Sequence, residues 1–345
     1  MPAHFSFSHA LLLWFDQHGR HNLPWQQNSS PYTTWLSEVM LQQTQVATVI
    51  PYFERFCEHF PTVQDLASAD PDEVMHLWTG LGYYSRARNL HRCAQEVVER
   101  FDGYFPNSTD ELVKLPGIGP STAAAIASIA FGQSTAIMDG NVKRVLTRFH
   151  AIEGWPGKKE IEKKLWHLAQ EHMPKERCAD YTQAIMDLGA TLCTRSKPKC
   201  AECPMSQQCQ AKALERVNEF PYSKPKKAKP SKEIQMLLIY NLSGEVALEL
   251  RPSSGIWGGL WSLPELDTNE SVEDYVEQAF GSIRHIEKRK SFKHVFSHYN
   301  LIINPVDVHL GKLNEQVREN NLLWYNPHFP QRVGLAAPVK TLLNT

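Results

Sequence analysis

The chain has 345 residues, of which 42% are hydrophobic and 21% are charged, and its formal net charge at pH 7 is −1. This length allows two or three domains with separate cores, and the composition is that of a globular protein rather than a disordered or fibrous one. No apolar run is long enough to span a bilayer, and the N-terminus lacks the features of a secretory signal, so a cytoplasmic protein without a membrane partner is expected.

A predicted helix near the N-terminus carries the first candidate catalytic group. It lies in the segment PYTTWLSEVMLQQTQV (Pro31–Val46), where Glu38 is followed by Gln42 and Gln45 at i+4 and i+7. On a helix this spacing places the three side chains on one face. A helical glutamate among glutamines is most often a solvated surface residue, so the pattern alone leaves a catalytic role and a surface role open.

The segment GLGYYSRARNL (Gly80–Leu90) predicts an exposed turn followed by a basic stretch. Gly80 and Gly82 mark the turn, because glycine permits backbone conformations that other residues avoid. Such a turn would present Tyr83 to solvent. The alternative is that this tyrosine is an ordinary core residue.

The clearest local motif is Ser108–Gly132, which predicts two helices joined by a glycine turn. Ser108 and Glu111 have the spacing of a capping box at the start of the first helix. In the turn, Gly117 and Gly119 have no Cβ, so backbone N–H groups can approach a phosphate beside the positive end of the second helix. This arrangement is typical of a helix–hairpin–helix that holds a DNA backbone, and a simple helical hairpin is the alternative.

Asp139 directly precedes a predicted helix, Asn141–His150, in the segment IMDGNVKRV. The apolar residues of this helix recur at helical spacing and form one stripe, which comprises Val142, Val145, Leu146 and Phe149. Aspartate is a preferred N-cap, so a structural role explains Asp139 well. A capping carboxylate is also held rigidly where positive charge could develop, so a catalytic role is compatible with the structural one.

Four cysteines lie within 17 residues in the pattern C-x6-C-x2-C-x5-C, and they are Cys193, Cys200, Cys203 and Cys209. Thiolates at this density are typical ligands of a soft metal ion or cluster. A structural zinc site is usually built from two similar ligand pairs, whereas this pattern has one C-x2-C with a longer loop on each side. The spacing therefore favours an iron–sulfur cluster over zinc, and both over unligated thiols or disulfides.

The chain changes character after the cysteines. Residues 193–232 contain ten Lys or Arg against three Asp or Glu, which is a usable electrostatic footprint for nucleic acid. Residues 222–234 are rich in Pro and Lys and predict a semi-rigid linker. From residue 235 to 345, short strand-like segments (IQMLLIY, VALEL, HVFSHYNLII and VDVHL) and one helical segment (SVEDYVEQAF) predict an α+β domain.

Three pieces of the chain together resemble the endonuclease III family of DNA glycosylases. They are LPGIGPSTAAAI, IMDGNVKRV and the cysteine array, in this order and at these separations. The segments Pro31–Val46, Gly80–Leu90 and FSHYNL are similar to one branch, the adenine DNA glycosylases that act on adenine opposite 8-oxoguanine. The resemblance implies a multidomain protein: an all-α helix–hairpin–helix glycosylase core over residues 1–221, a [4Fe–4S] cluster loop over 193–209, and a Nudix-like domain over 235–345.

The resemblance also implies catalytic roles. Glu38 matches the general acid that protonates the base, and Asp139 matches the carboxylate that stabilises an oxocarbenium-like sugar and can form a transient covalent link to it. Asn141 is expected to orient Asp139. Ser121 stands where strand-cleaving relatives have a lysine, and because serine cannot form a Schiff base, a monofunctional enzyme is expected.

Several residues match positions where the family contacts DNA. An enzyme that acts on a base must extrude it from the duplex, so a wedge is required. The expected DNA contacts are Gln43 and Tyr83 as wedge residues, Arg86 and Arg88 at phosphates, Gly117, Gly119 and Ser121 in the hairpin, and Arg195, Lys197 and Lys199 in the cysteine loop. The cluster is therefore interpreted as structural rather than catalytic.

The C-terminal segment WGGLWSLPE (Trp257–Glu265) resembles the start of a nucleotide-hydrolase domain. The R-E-x-x-E-E pattern that would bind magnesium is absent from SVEDYVEQAFG, so we expect a recognition module rather than a second active site. Phe296, Ser297 and His298 match the family's contact to 8-oxoguanine, although their local pattern alone indicates a strand.

The sequence thus predicts a monomeric, monofunctional adenine DNA glycosylase whose partner is duplex DNA with adenine opposite 8-oxoguanine or guanine. In a bacterium it would be associated with the nucleoid. A non-catalytic mismatch-binding protein is one alternative, but the presence of both Glu38 and Asp139 argues against it. A nucleotide pyrophosphohydrolase is another, and the absent acidic pattern argues against that.

Overall fold

The computed structural model describes residues 5–224, 229–252, 255–296, 298–314 and 321–344. It divides into two compact units. The first unit comprises the chain up to Ser68 together with Asn89–Pro225, and the second comprises Ala69–Arg88 together with the chain from Lys226 onward. The second unit therefore includes a segment that the sequence assigns to the helical region, because Ala69–Arg88 packs against the C-terminal part of the chain.

The described part of the first unit is helical. Its helices, with those of the intervening segment, are α1 Phe7–His18, α2 Pro24–Gln27, α3 Pro31–Leu41, α4 Val46–His59, α5 Val63–Ser68, α6 Pro71–Trp78, α7 Ser85–Phe101, α8 Thr109–Leu112, α9 Pro120–Phe131, α10 Gly140–Phe149, α11 Lys159–His172, α12 Cys178–Asp187 and α13 Gln210–Ala213. A π-helical turn, Leu188–Leu192, follows α12 directly. None of the helices in the described residues is long and apolar enough to cross a membrane.

Helix α3 begins at a strong cap and ends earlier than the sequence suggests. The Ser30 hydroxyl accepts a hydrogen bond from the Thr33 N–H, and Pro31 occupies the first turn. The helix ends at Leu41, because Gln42 leaves the helical conformation and Gln43 has a positive φ of 60°. The predicted face shared by Glu38, Gln42 and Gln45 is therefore wrong, since Gln45 is the N-cap of α4.

The two helices of the predicted hairpin are α8 and α9. The capping box expected at Ser108 is wrong: the Ser108 side chain makes no capping hydrogen bond, and the Glu111 carboxylate pairs with Lys114 at 2.5 Å instead. Helix α9 starts after Gly119 and ends at Gly132, which adopts the left-handed conformation that favours glycine. Its small residues are buried where α3 and α12 pack closely against it.

The second unit is built on a mixed sheet. Its elements are β1 Ser231–Tyr240, β2 Val246–Leu250, β3 Trp261–Ser262, β4 Glu265–Asp267, α14 Val272–Ala279, β5 Gly281–Lys288, β6 Phe292–Val295, β7 Asn300–Leu313, β8 Leu322–Tyr325 and α15 Ala337–Leu343. The strand order is β3-β2-β1-β7-β5, and β4, β6 and β8 pair with β1, β7 and β2, respectively. The central pair, β1 and β7, is parallel from Ser231 opposite Asn300 to Tyr240 opposite His309.

The observed strands differ from the predicted ones at two places. Strand β1 begins at Ser231, inside the segment predicted as a linker. The predicted strand HVFSHYNLII is divided between β6 and β7, because the chain turns after Val295 and the Phe296 N–H donates to the Tyr299 carbonyl. Helix α14 lies within the predicted segment SVEDYVEQAF, and its Val276 is buried in the core of the sheet domain.

Candidate active site

Glu38 lies on the wall of an open cavity of about 820 Å³ in the first unit. Its volume is in the range of ligand-binding clefts in proteins. Burial, and secondarily the charge of Asp139, raises the pKa of Glu38 to about 7. A carboxyl group that holds its proton near neutral pH is suited to act as a general acid.

Asp139 faces the same cavity from the start of α10, and it is the N-cap of that helix. One carboxylate oxygen accepts a hydrogen bond from the Val142 N–H at 2.7 Å, and the other accepts one from Asn141 Nδ2 at 2.9 Å. Burial raises the pKa of Asp139, and these two hydrogen bonds oppose the rise. Asp139 can thus serve both as a helix cap and as a reactive group, because the cap holds its carboxylate at the cavity wall.

Asn141 also connects the site to the loop that precedes the cysteines. Its Oδ1 accepts a hydrogen bond from the Arg144 guanidinium at 2.8 Å. The same guanidinium donates to the carbonyl oxygens of Cys193 and Gly189, each at 2.7 Å. Gly189 is required here, since a Cβ at this position would lie 2.5 Å from the Asn141 Cβ.

Ser121 also lines the cavity, in the first turn of α9. Its hydroxyl accepts a hydrogen bond from the Met138 N–H at 3.0 Å. Ser121 therefore fixes the extended segment that leads into Asp139. It supplies a hydroxyl and no amine at this wall of the cavity.

The hairpin turn opens onto a second cleft of about 730 Å³. Gly117 has a φ of 76°, and a Cβ there would lie 2.8 Å from the Asn89 Cβ, so glycine is required on both grounds. Around Gly119 a Cβ would meet no atom within 4 Å, which leaves the start of α9 open to a ligand. Lys159 and Lys163 line the same cleft. Backbone N–H groups, a helix N-terminus and two cations together suit a phosphate.

The four cysteines of the array line one cavity in the first unit, together with Arg148. Burial raises the pKa of the Cys203 thiol to about 12 and also raises that of Cys209. Arg148 donates a hydrogen bond to Cys193 Sγ at 3.3 Å and another to the Thr194 carbonyl at 2.7 Å. The loop between Cys193 and Cys200 exposes the three predicted cations, Arg195, Lys197 and Lys199.

Gln43 and Tyr83, the two predicted wedge residues, are both exposed and both have positive φ angles, 60° and 51°. Gln43 lies beside the Glu38 cavity in the first unit. Tyr83 lies in the second unit, next to Gly82 with its φ of 70°, and it is 48% exposed. The prediction of an exposed turn at Tyr83 therefore agrees with the structure.

Arg86 and Arg88 do not lie on the surface as expected. Arg86 is 8% exposed, donates to the carbonyls of Leu81 and Gly82 at 3.1 Å, and lies 5.5 Å from the centre of the Tyr83 ring. Arg88 is half-buried and donates to the Gly258 carbonyl. Arg86 thus supports the turn from within, because its guanidinium donates hydrogen bonds to two carbonyls of the turn.

The predicted 8-oxoguanine contacts lie at the turn between β6 and β7. Ser297 is outside the described residues. The Phe296 ring stacks on Tyr299 with 4.7 Å between ring centres and contacts Trp257 at 5.4 Å, while His298 is exposed. Aromatic faces grouped beside an exposed imidazole can stack on a base and bind its edge.

Three family models match the chain. They are the HhH-GPD superfamily base excision DNA repair protein over residues 36–171, the iron-sulfur binding domain of endonuclease III over residues 193–209, and the NUDIX domain over residues 235–345. The adenine DNA glycosylase of Buchnera aphidicola subsp. Acyrthosiphon pisum (strain APS) is 38% identical over 338 residues, which cover 98% of this chain and 96% of that protein. The chain belongs to the adenine DNA glycosylases.

Other relatives and solved structures are also similar to this chain. The human adenine DNA glycosylase is 38% identical over 323 residues, which cover 78% of this chain and 59% of the human protein. Among solved structures, a thermostable thymine-DNA glycosylase is 28% identical with a TM-score of 0.56, and covers 60% of this chain and 95% of its own. An endonuclease III–DNA complex, 23% identical with a TM-score of 0.52, shares the fold of the helical part and covers 61% of this chain and 95% of its own.

The predicted family, enzyme class and fold class are thus confirmed. The chain is an enzyme of base excision repair that acts on DNA, with a helix–hairpin–helix glycosylase core, an iron–sulfur motif and a Nudix-like C-terminal domain. The prediction of an iron–sulfur cluster at the cysteine array is also confirmed at this level.

The residues at the array fit such a cluster. Within the described residues no three His, Cys, Asp or Glu side chains are close enough to hold one metal ion, so the fit rests on the cavity that the four thiols share. The cavity holds four sulfur donors, and the two thiols with raised pKa values would lose their protons to bind a cationic cluster. Cys193, Cys200, Cys203 and Cys209 would be its ligands.

Sequence reasoning missed Arg144, Lys159 and Lys163. Arg144 lies within the motif IMDGNVKRV, but only the fold brings it to the carbonyl of Cys193, 49 residues away. Lys159 and Lys163 begin α11, and their spacing of four residues was the available signal, because it places both on one helix face.

Proposed function

We propose that the protein removes adenine opposite 8-oxoguanine, and opposite guanine, as a monofunctional glycosylase. The observation that carries this proposal is the pairing of two carboxyl groups at one cavity. Glu38, with a pKa of about 7, can donate a proton, while Asp139 is held by two hydrogen bonds from α10. One acid and one fixed carboxylate are what cleavage of a glycosidic bond requires.

In the proposed mechanism, Glu38 donates its proton to the extruded adenine and so improves the leaving group. Positive charge then develops on the sugar, and the Asp139 carboxylate stabilises it electrostatically or through a transient bond to the sugar. Asn141 keeps the carboxylate oriented through its 2.9 Å hydrogen bond. Water then adds to C1′ of the sugar and loses a proton, which breaks any bond to Asp139. Because Ser121 offers no amine in place of this water, the product is an abasic site in an intact strand.

We propose the wedge roles because Gln43 and Tyr83 are exposed, and the recognition roles because the three residues concerned match the family's contact to 8-oxoguanine. Gln43 and Tyr83 would enter the duplex and replace the extruded base. Phe296, Ser297 and His298 would contact 8-oxoguanine on the opposite strand. Phosphates would be bound at the hairpin by Gly117, Gly119 and Ser121, by the exposed cations Arg195, Lys197 and Lys199, and by Arg88 after it leaves its present partner.

We further propose that the cluster is [4Fe–4S] and that its role is structural. Four thiolates are the usual ligand set of such a cluster. When bound, it would tie the segments on either side of the loop together and so present Lys197 and its neighbours to DNA. Purified protein should contain about four irons per chain, and one zinc per chain without iron would refute this part of the proposal.

Because DNA is the substrate, we propose that the protein acts as a monomer where the chromosome lies, which in a bacterium is the cytoplasm and its nucleoid. Light scattering during size-exclusion chromatography tests the monomer. A molecular mass near twice the 39.4 kDa of the chain would contradict it.

The main experiment measures single-turnover release of adenine from duplexes that carry A opposite 8-oxoguanine, G, C or T. Release should be efficient for the first two only. Glu38→Gln and Asp139→Asn should each slow release at least about 100-fold with little change in duplex affinity, because they remove interactions made in the transition state. Glu96→Gln, at an exposed ion pair with Arg100, is the matched control and should retain full activity.

The same reactions test the monofunctional assignment. Strands should break only after alkali treatment, and borohydride should trap little protein–DNA adduct. Tight binding without any release of adenine would support a mismatch-binding protein instead. Efficient strand cleavage without alkali would show that a lysine elsewhere forms the Schiff base.

A further inference from the structure

The segment Ala69–Arg88 is bound to the C-terminal sheet domain along its whole length. Its polar contacts are Asp72 with the Trp261 ring N–H (3.4 Å), His76 with the Val333 carbonyl (3.4 Å), Tyr84 with the Leu335 carbonyl (3.0 Å) and Arg88 with the Gly258 carbonyl. Packing is equally close, since a Cβ on Gly334 would lie 2.7 Å from the Met75 Cβ. The turn that carries Tyr83 is therefore built on the second unit.

The acceptor of the Tyr84 hydrogen bond is itself fixed to the sheet. Leu335 forms a β-bridge with Trp261 of β3, and the Trp261 N–H donates to the Gly334 carbonyl at 2.9 Å. The phenol of Tyr84 is 8% exposed, so its hydroxyl is bound away from solvent. A buried hydroxyl bonded to a sheet-anchored carbonyl gives the turn a defined position relative to β3.

The turn needs such an anchor. Tyr83 has a φ of 51°, in the left-handed region that residues with a Cβ avoid unless their surroundings fix them. The Tyr84 oxygen lies 3.5 Å from the Gly80 nitrogen across the turn, and Trp78 donates from its ring to the Gly82 carbonyl at 3.1 Å. Tyr84 thus joins the two ends of the turn to the sheet domain, while its neighbour Tyr83 remains exposed.

We infer that Tyr84 is a positioning residue for base extrusion, and that the C-terminal domain acts through it. By binding Tyr84, Leu335 keeps Tyr83 in the conformation in which it can enter the duplex. The C-terminal domain then has two separate effects, reading of the opposite base through its β6–β7 turn and stabilisation of the wedge through Leu335. This inference rests on the proposed wedge role of Tyr83.

The test uses the full-length protein and Tyr84→Phe, which removes only the hydroxyl. The rate of adenine release should fall at least about three- to tenfold, the value of one hydrogen bond, because the hydroxyl donates to the Leu335 carbonyl and also accepts from the Gly80 N–H. The fall should be the same for A opposite 8-oxoguanine and A opposite G, because the hydroxyl does not touch the opposite base. His298→Ala should instead lower the preference for 8-oxoguanine.

Tyr275→Phe, which removes a hydroxyl bonded to Glu249 at 3.2 Å in the same unit, is the matched control and should be neutral.

A double-mutant cycle separates positioning from a general structural effect. Extrusion is followed by the fluorescence of 2-aminopurine placed at the target adenine. Tyr83→Ala should impair extrusion, and adding Tyr84→Phe to it should have no further effect, since the positioned ring is already absent. The thermal midpoint of Tyr84→Phe should match that of Tyr275→Phe.

Three outcomes would overturn the inference. A neutral Tyr84→Phe beside an impaired Tyr83→Ala would refute the positioning role and leave the proposed wedge intact. Additive effects in the cycle would show that Tyr84 acts independently of Tyr83. A neutral Tyr83→Ala would refute the proposed wedge and the inference together.

Discussion

Glu38 and Asp139 face the same cavity, and burial raises the pKa of both, but their hydrogen-bond partners differ. The pKa of Glu38 is raised to about 7 chiefly by burial, and the charge of Asp139 adds to this. Asp139 is also buried, but it accepts hydrogen bonds from Val142 and Asn141 that favour its charged form. Two carboxyl groups with different environments can thus take different chemical roles.

The pH dependence of the reaction should report the Glu38 proton. Its pKa is raised, so the protonated acid predominates below about 7 and is lost as the pH rises through that value. We expect the single-turnover rate to fall with a slope of one above about 7. It should also fall at low pH, where the Asp139 carboxylate, whose pKa is raised by burial, takes up a proton. Duplex affinity measured over the same range serves as the control. A rate that stays flat from pH 6 to 8.5 would exclude Glu38 as the acid.

Arg144 should matter for catalysis although it lies behind Asn141. Replacing it with Met removes the donor to the Asn141 amide oxygen and to the carbonyl of Cys193. Because hydrogen bonds to charged groups are worth about 1.5–3 kcal/mol, we expect release to slow about 10- to 100-fold. Lys143→Met, at the neighbouring Lys143–Glu162 ion pair, is the control. Iron content should be measured for both variants, and an unchanged rate for Arg144→Met would contradict the prediction.

For single residues, the sequence predicts a role where the residue lies in a recognisable local motif. Glu38, Asp139 and Ser121 were identified by family motifs, and the fold brings all three to the wall of one cavity. Arg86 was expected at phosphates but is buried, because its guanidinium donates to two carbonyls of the glycine turn. The positions of these carbonyl acceptors depend on the folded backbone, so the sequence does not predict them.

Helices α1, α10 and α11 meet at a pair of histidines. His150 and His172 share a hydrogen bond of 2.8 Å between their Nε2 atoms, and Phe7 of α1 stacks on His172 with 4.3 Å between ring centres. Burial, and secondarily the neighbouring His172, lowers the pKa of His150 to about 4, while Glu171 opposes and Lys164 adds to the shift. Protonation of either imidazole would place a charge in an apolar contact between helices.

This pair should make the helical unit sensitive to acid. A pKa lowered from 6.5 to about 4 contributes stability that is complete above pH 6.5 and is lost as the pH falls toward 4. We therefore expect the thermal midpoint to fall between pH 6.5 and 4, and to fall less in His150→Gln. His167→Gln is the control, because that side chain is 74% exposed. Equal pH dependence in all three proteins would contradict the prediction.

Helices could be predicted where apolar residues recur at regular helical spacing, as in α10 and α14. The residues at which helices and strands end were harder to predict. Helix α3 ends at Leu41 because Gln43 adopts a positive φ. The sequence has no glycine or asparagine there that would predict this conformation. The turn between β6 and β7 was missed for a related reason: a continuous apolar pattern hides a bend that is set by the Phe296–Tyr299 hydrogen bond.

Removing the C-terminal domain should damage two properties of the molecule. The truncated chain, residues 1–228, lacks the proposed 8-oxoguanine contacts, so its preference for 8-oxoguanine over G should shrink. It also leaves Tyr84 and Arg88 without Leu335 and Gly258, so release from G:A should slow as well.

The truncated protein is compared with full-length Tyr84→Phe and His298→Ala after helix content and iron are shown to be intact. The G:A rate of the truncated protein should be no higher than that of Tyr84→Phe. A truncated protein that releases adenine from G:A at the full rate would show that the C-terminal domain serves recognition alone.

The change in composition near residue 222 reveals where the second domain begins, but it cannot reveal that Ala69–Arg88 belongs to it. That segment is helical and amphipathic like its neighbours. Its contacts distinguish it, such as those of Asp72, His76 and Tyr84, whose partners lie far along the chain.

The hydrogen bond between Tyr84 and Leu335 joins residues 251 positions apart. A ribosome adds about 5–20 residues per second, so roughly 10–50 s separate the synthesis of the two partners. During that time Met75 and Tyr84 lack their partners Gly334 and Leu335. The nascent chain therefore exposes an apolar segment until translation is nearly complete. Chaperones and proteases would bind an incomplete chain at this segment.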